Sequence, residues 1–191
     1  MIAEVLLVIS LSYILGSIPS GIIFAKIFRL KDLRTIGSGN TGTTNVLRTG
    51  NYTAAALTLV LDLGKACLAI YLSQIVNEKL ILISSLAILI GHIFPLWLKF
   101  KGGKGFACYL GIMLMINFYL FIFISLIWLI TFIAKRVSSL SALLSCLSSI
   151  LISIIYFNSN ILLVFLLTIL IFVTHLENIK RLINGTETKI K

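Results

Sequence analysis

The sequence predicts an all-α integral membrane protein with about seven transmembrane helices, some of them short, forming one polytopic domain over residues 1–191. Three observations carry this prediction. Of the 191 residues, 59% are apolar and only 12% charged, with a mean hydropathy of +1.12, whereas a soluble domain is roughly half apolar and a quarter charged. The apolar residues gather in six runs, each near the ~20 residues that a helix needs to cross a bilayer. The 16 Lys and Arg residues, against 6 Asp and Glu for a net charge of +10, fall mostly in the short segments between those runs. In a chain this apolar, such an excess is a topology signal rather than a mark of nucleic-acid binding.

The first run extends from Ile2 to about Phe28, passing through Gly16-Ser-Ile-Pro-Ser-Gly21. It is too long for a signal-peptide core and has no basic segment before it, so it is expected to be a retained, kinked span. The runs at 53–75, 80–98, 138–157 and 160–176 are ordinary candidates. The run at 106–133 would make a helix of roughly 42 Å, against a hydrocarbon core of about 30 Å, so two short helices turning back near Asn117 are expected. With that turn, Lys26, Arg29, Lys31, Arg34, Arg48, Lys99, Lys101, Lys104, Lys135, Arg136, Lys180, Arg181, Lys189 and Lys191, 14 of the 16 cations, share one side. Lys65 then lies inside a helix and Lys79 lies opposite. Positive residues in short loops mark the cytoplasmic side, which places the N-terminus outside and the C-terminus in the cytoplasm. The serines between Ser138 and Ser153 fit close helix packing. Cys67, Cys108 and Cys146 are too scattered for a disulfide framework or a thiolate metal site.

Polar residues concentrate in four segments, all on the cytoplasmic face of this topology. Gly37-Ser-Gly-Asn-Thr-Gly-Thr-Thr-Asn-Val-Leu-Arg48 supplies glycines, hydroxyls and amides and closes on a guanidinium, a composition suited to a phosphate. Its literal G-x-G-x-x-G is not a dinucleotide fingerprint, because it lies between membrane spans and not in a βαβ unit. In Gly91-His-Ile-Phe-Pro-Leu-Trp-Leu-Lys-Phe-Lys-Gly-Gly-Lys-Gly105, the terminal glycines break the helix at the surface beside two ammonium groups, again suiting phosphate. Trp97 and Lys99 read as an interfacial anchor. His92, costly in a membrane segment unless paired, either bonds the glycine-rich turn or contacts substrate directly. The third and fourth segments are Arg136-Val-Ser-Ser-Leu-Ser141 and His175-Leu-Glu-Asn-Ile-Lys-Arg-Leu-Ile-Asn-Gly-Thr-Glu187, in which His175 and Asn178 share a helix face. Asp62 and Lys65, three apart in a span, are expected to pair with each other.

Together, S-G-N-T-G-T-T-N-V-L-R, G-H-I-F-P-L-W-L-K-F-K-G-G-K-G and H-L-E-N-I-K-R-L-I-N-G-T-E resemble, in order and along the whole chain, the three cytoplasmic motifs of the bacterial acyl-phosphate-dependent glycerol-3-phosphate acyltransferases. Thr43, Ala66, Phe106, Cys108 and Leu176 depart from the usual residues of that family. The resemblance implies an enzyme of the bacterial inner membrane that moves a fatty acyl group from acyl phosphate to the 1-hydroxyl of sn-glycerol 3-phosphate, the first acylation of phospholipid synthesis. The H-x4-D signature of other glycerol-phosphate acyltransferases is absent.

Under this resemblance, Ser38, Asn40, Thr44, Asn45 and Arg48 are expected to hold one substrate phosphate. Lys101, Lys104 and the Gly102, Gly103 and Gly105 backbone are expected to hold the other, with His92 counted among the candidate contacts. His175, Asn178, Ser139 and Lys104 form the expected catalytic set, the first three orienting the glycerol hydroxyl and the acyl carbonyl. No cofactor, metal or nucleic acid is expected, membrane lipid is the surroundings, and one chain suffices as a monomer. Two rivals are a permease for organic phosphates and a scaffold that binds anionic lipid. The absence of an inverted repeat speaks against the first, and the Ser/Asn/Thr/Gly content of residues 37–45 against the second.

Overall fold

The computed structural model describes residues 1–156 and 160–190. Phe157, at the end of the fifth apolar run, and Lys191, counted with the basic tail, lie outside the described residues. Among those described, the backbone forms ten α-helices and no strand. They fall into two compact units, Met1–Met115 and Ile116–Lys191.

The first unit holds α1 (Ile2–Gly16), α2 (Ser20–Ile27), α3 (Thr43–Leu47), α4 (Tyr52–Asn77), α5 (Ile81–Ile93) and nearly all of α6 (Phe106–Ile116). Helices α1 and α2 are the expected kinked run, broken because Pro19 lacks an N–H and disfavours helical geometry at Ile18. The break leaves carbonyls that the helix would otherwise use. Ser17 O accepts the Trp97 indole N–H at 2.6 Å, and Ile18 O accepts the Lys65 ammonium at 2.8 Å. Trp97, expected at the interface, is exposed over much of its surface and also clamps this kink.

Helix α1 packs on α5 nearly backbone to backbone. A Cβ on Gly16 would run into the Ile88 carbonyl, and one on Gly91 into the Tyr13 carbonyl, so small residues set this approach as they do between membrane helices generally. The Tyr13 hydroxyl donates to Phe94 O at 2.8 Å. Ser12 and Ser84 share a hydrogen bond at 2.8 Å, and Ser84 donates on to Ala69 O at 3.1 Å, joining α1, α5 and α4. Asn51 caps α4 by accepting from Ala54 N at 2.8 Å. Helix α6 meets α4 at Gly111, where a Cβ would strike Leu63 O and come within 2.9 Å of the Ala66 Cβ.

The second unit holds α7 (Phe118–Lys135), α8 (Ser138–Tyr156), α9 (Ile161–Thr174) and α10 (Leu176–Ile183). The long run at 106–133 does break at Asn117, an extended residue whose side chain caps α7 by accepting from Leu120 N at 3.0 Å. Arg136 ends α7 in the left-handed conformation, φ 58°. Ser141, Ser145, Ser149 and Ser153 recur every four residues on α8 and are fully buried, which is the packing stripe expected of them. The chain bends by 64° between α9 and α10.

Four described stretches are long and apolar enough to cross a bilayer: Ile2–Ile27, Tyr52–Leu98, Phe118–Lys135 and Ser138–Tyr156. The bent pair α9 and α10 makes up to five. The stretch 52–98 contains two of the expected runs, α4 and α5, which pack against each other. Helix α6 has 11 residues, roughly 16 Å of rise, and falls short of a span. By length and composition, four stretches, or five with the bent pair, qualify as spans among the described residues; one of them holds two helices, and α6 is one of the short helices expected.

Candidate active site

The loop at 29–51 wraps around one buried side chain. Asn45 donates its amide to Leu33 O (2.7 Å), Asn40 O (2.8 Å) and Ile36 O (3.2 Å), and accepts from Ser38 N at 3.3 Å. Expected to touch a phosphate, Asn45 is instead the strut of the loop, with its polar atoms occupied by loop backbone. Asn40 accepts from Gly42 N at 2.8 Å and closes a local turn. Gly37 and Gly39 adopt positive φ, 53° and 68°, and a Cβ at Gly37 would lie 2.8 Å from Arg48 Cδ. The loop thereby draws Arg48 back over Gly37, next to the exposed Ser38. Arg34 is held at 2.8 Å by Asp32, and this hydrogen bonding keeps the Asp32 carboxyl down at about 2.

The second segment is a compact turn. Phe100 N bonds to Pro95 O at 3.0 Å and Lys101 N to Leu98 O at 3.1 Å. Between these bonds, Lys99 and Phe100 both take left-handed backbone, φ 52° and 61°, at a cost of roughly 1–2 kcal/mol each. Gly102 N then donates to Ile93 O at 2.9 Å and Gly103 N to His92 O at 3.1 Å. The expectation that these two N–H groups face a phosphate is corrected by this geometry, since they close the carbonyl end of α5. Lys104 and Gly105 follow and lead into the N-terminus of α6, where helical N–H groups lack intrahelical partners and suit an anion.

Beneath the turn lies a buried charge cluster. Asp62 Oδ1 is approached by Ser20 Oγ at 2.7 Å, Lys65 Nζ at 2.8 Å and His92 Nδ1 at 3.4 Å. The expected Asp62–Lys65 pair is present, with side chains 3% and 2% exposed. His92, 9% exposed, has its ring against Gly103, where any Cβ would strike Nε2. A small cavity lined by Ser17, Ser20, Thr41, Asp62, His92 and Gly103 connects the two polar segments. Asp62, His92 and Cys108 bring potential metal-ligand atoms within 4.8 Å of one another. The Lys65 ammonium already occupies the carboxylate, however, and Cys108 Sγ donates to Asp62 O at 3.2 Å. Such a cluster suits a hydrogen-bonded ion pair better than a cation.

In the second unit, three donors converge on a residue not among the expected site residues. Glu187 accepts from Asn178 Nδ2 (2.6 Å), Ser139 Oγ (2.7 Å) and Arg181 Nε (2.6 Å). Ser139 and Asn178, expected to face substrate, are bonded here to the carboxylate. The one available signal was that Glu187 closes the tail motif. His175 is buried, and its Nδ1 lies 2.8 Å from Ile171 O. A carbonyl can only accept, so Nδ1 carries the proton, and in the neutral ring Nε2 is the accepting nitrogen.

Burial of Glu187 disfavours its charge, but the bonds from Ser139, Asn178 and Arg181 outweigh this and hold its pKa below the ordinary 4.5. A lowered folded-state pKa contributes stability above the ordinary value, and that contribution is lost as pH falls through the folded pKa. The melting-temperature advantage of wild type over Glu187→Gln is therefore expected to shrink as pH drops from about 6 to about 3. An advantage independent of pH would detach the carboxylate charge from the tail fold.

The profile of the family described as glycerol-3-phosphate acyltransferase matches residues 6–185. A protein of that description from Pelagibacter ubique is 48% identical over 188 residues, 98% of each chain. Another, from Roseobacter denitrificans, is 47% identical over 182 residues, 94% of this chain and 91% of the relative. Among solved structures, the glycerol 3-phosphate form of PlsY, an integral membrane glycerol 3-phosphate acyltransferase, superposes with a TM-score of 0.89 at 32% identity, covering 98% of this chain and 96% of that one. The lysophosphatidic acid form superposes at 0.88 and 30% identity, covering 98% and 95%.

Proposed function

This chain belongs to the glycerol-3-phosphate acyltransferase family, a membrane acyltransferase of phospholipid synthesis, and from that premise we propose that its acyl donor is acyl phosphate. The 1-hydroxyl oxygen of glycerol 3-phosphate attacks the acyl carbon, the acyl carbon–oxygen bond to phosphate breaks, and lysophosphatidic acid and inorganic phosphate leave. The hydroxyl proton passes to the departing phosphate. Acyl phosphate is an activated anhydride whose leaving group needs its developing charge stabilised more than it needs protonation, so fixed cationic donors supply the main catalytic term.

The observation that carries this reading is the pair of phosphate-suited segments meeting at one cavity in the first unit. Ser38, Asn40, Thr44 and Arg48 hold one phosphate. Lys101, Lys104, Gly105 and the start of α6 hold the other. His175, with Nε2 as its accepting nitrogen, is the candidate base or orienting group. Asn178 and Ser139 keep the expected task of positioning hydroxyl and carbonyl, and Glu187 sets their geometry. Seven helical segments, with the N-terminus outside and this polar face toward the cytoplasm of a bacterial inner membrane, complete the reading, and a monomer is sufficient.

The test is phosphate release by purified protein in detergent or lipid mesophase, with acyl phosphate present and glycerol 3-phosphate added or withheld, beside an acyl-CoA control. Release that needs both substrates and fails with acyl-CoA is expected. Transfer from acyl-CoA alone would reassign the donor, and no release in any lipid would return the permease.

A further inference from the structure

The Lys101–Gly105 turn carries two of the cations assigned to phosphate, yet it is short and rich in glycine, and it contains strained backbone at its entry. A turn of this composition does not hold cations in register unaided, since each glycine adds conformational freedom. Its order must come from what it rests on. Two of its N–H groups are tied to the last carbonyls of α5, at His92 and Ile93, and Gly103 sits directly on the His92 imidazole. The floor of the turn is therefore a single ring.

That ring is not held by packing alone. Its Nδ1 faces Asp62 Oδ1 at 3.4 Å, and the same oxygen takes Ser20 Oγ and Lys65 Nζ. Lys65 also bonds Ile18 O. Asp62 thus joins the α1/α2 break, the middle of α4 and the end of α5. A carboxylate that faces Nδ1 fixes which edge of the imidazole points inward, and hence which edge supports Gly103.

We propose that Asp62 and His92 are positioning residues for the Lys101–Gly105 turn: Asp62 orients the His92 ring, and the ring sets the height and register of Gly103 and so of the Lys101 and Lys104 ammonium groups. This rests on the turn being a phosphate-binding element, as proposed above, and the experiment separates the two claims. Asparagine at 92 places an amide donor near the position of Nδ1 and preserves the link to Asp62, whereas glutamine places its amide farther out, nearer to Nε2. The double change Asp62→Asn with Lys65→Gln removes the carboxylate and its counter-charge together, which avoids stranding one buried charge.

Two readouts are taken on detergent-purified full-length protein with intact thermal unfolding. Tryptic cleavage after Lys101 and Lys104, followed by mass spectrometry, reports the order of the turn without reference to catalysis. Steady-state kinetics with acyl phosphate and glycerol 3-phosphate report its use. In His92→Gln and in the double variant, cleavage in the turn is expected to be about tenfold faster and KM for one of the two substrates about tenfold higher, with kcat changed much less. His92→Asn should lie nearer to wild type on both readouts. Wild-type cleavage in folded His92→Gln and folded double variant would overturn the proposal. Faster cleavage with both KM values unchanged would uphold the positioning and remove the turn from phosphate binding.

Discussion

Replacing Lys104 with alanine is expected to lower kcat/KM for acyl transfer by about 30- to 900-fold, equivalent to about 2–4 kcal/mol of lost transition-state stabilisation. Arg48→Ala should lose a comparable amount. Both side chains belong to the segments assigned to phosphate, and in the reaction proposed here charge grows on phosphate oxygen as the anhydride breaks. An ammonium or guanidinium already in place needs no reorganisation at that moment, which is why its removal should act on turnover and not on binding alone. Lys104→Arg should recover part of the loss, because the charge returns on a differently shaped head group. Turnover near wild type in purified Lys104→Ala would take the turn out of the phosphate site.

The largest stability effect is expected from Lys65→Met. This change removes one side of a buried ion pair, and breaking such a pair from one side costs about 3–5 kcal/mol. Thermal unfolding in detergent should show the variant melting well below wild type. The double variant Asp62→Asn/Lys65→Gln should melt above Lys65→Met, because it removes both charges and leaves neither buried without its counter-charge. If the single and double variants melt together, the pairing of charges is not what stabilises this region.

Which parts of this molecule could be read from its sequence depends on the range over which the determining physics acts. The break at Asn117 was legible because a run of that length conflicts with bilayer thickness, and a capping residue stands where the break occurs. The Asp62–Lys65 pair was legible because residues three apart on a helix face the same way. The roles of Asn45, Gly102 and Gly103 were not. Their composition fits a phosphate, but the loop and the end of α5 have carbonyls of their own to satisfy, and those demands arise only once the chain has folded. Glu187 escaped notice for a related reason: its partners Ser139, Asn178 and Arg181 converge only when the tail folds back, at sequence separations of 48, 9 and 6 residues.

The kink between α1 and α2 bears on how the protein is made. Its two carbonyls are satisfied by side chains 47 and 80 residues further along the chain, which leave the ribosome well after the kink itself. An unmet backbone carbonyl in hydrocarbon costs several kcal/mol. When the first segment emerges, those two side chains have not yet been synthesised. The side-chain bonds that complete the kink therefore form only after Lys65 and then Trp97 have been made, so the N-terminal segment reaches its finished contacts later than its place in the chain suggests.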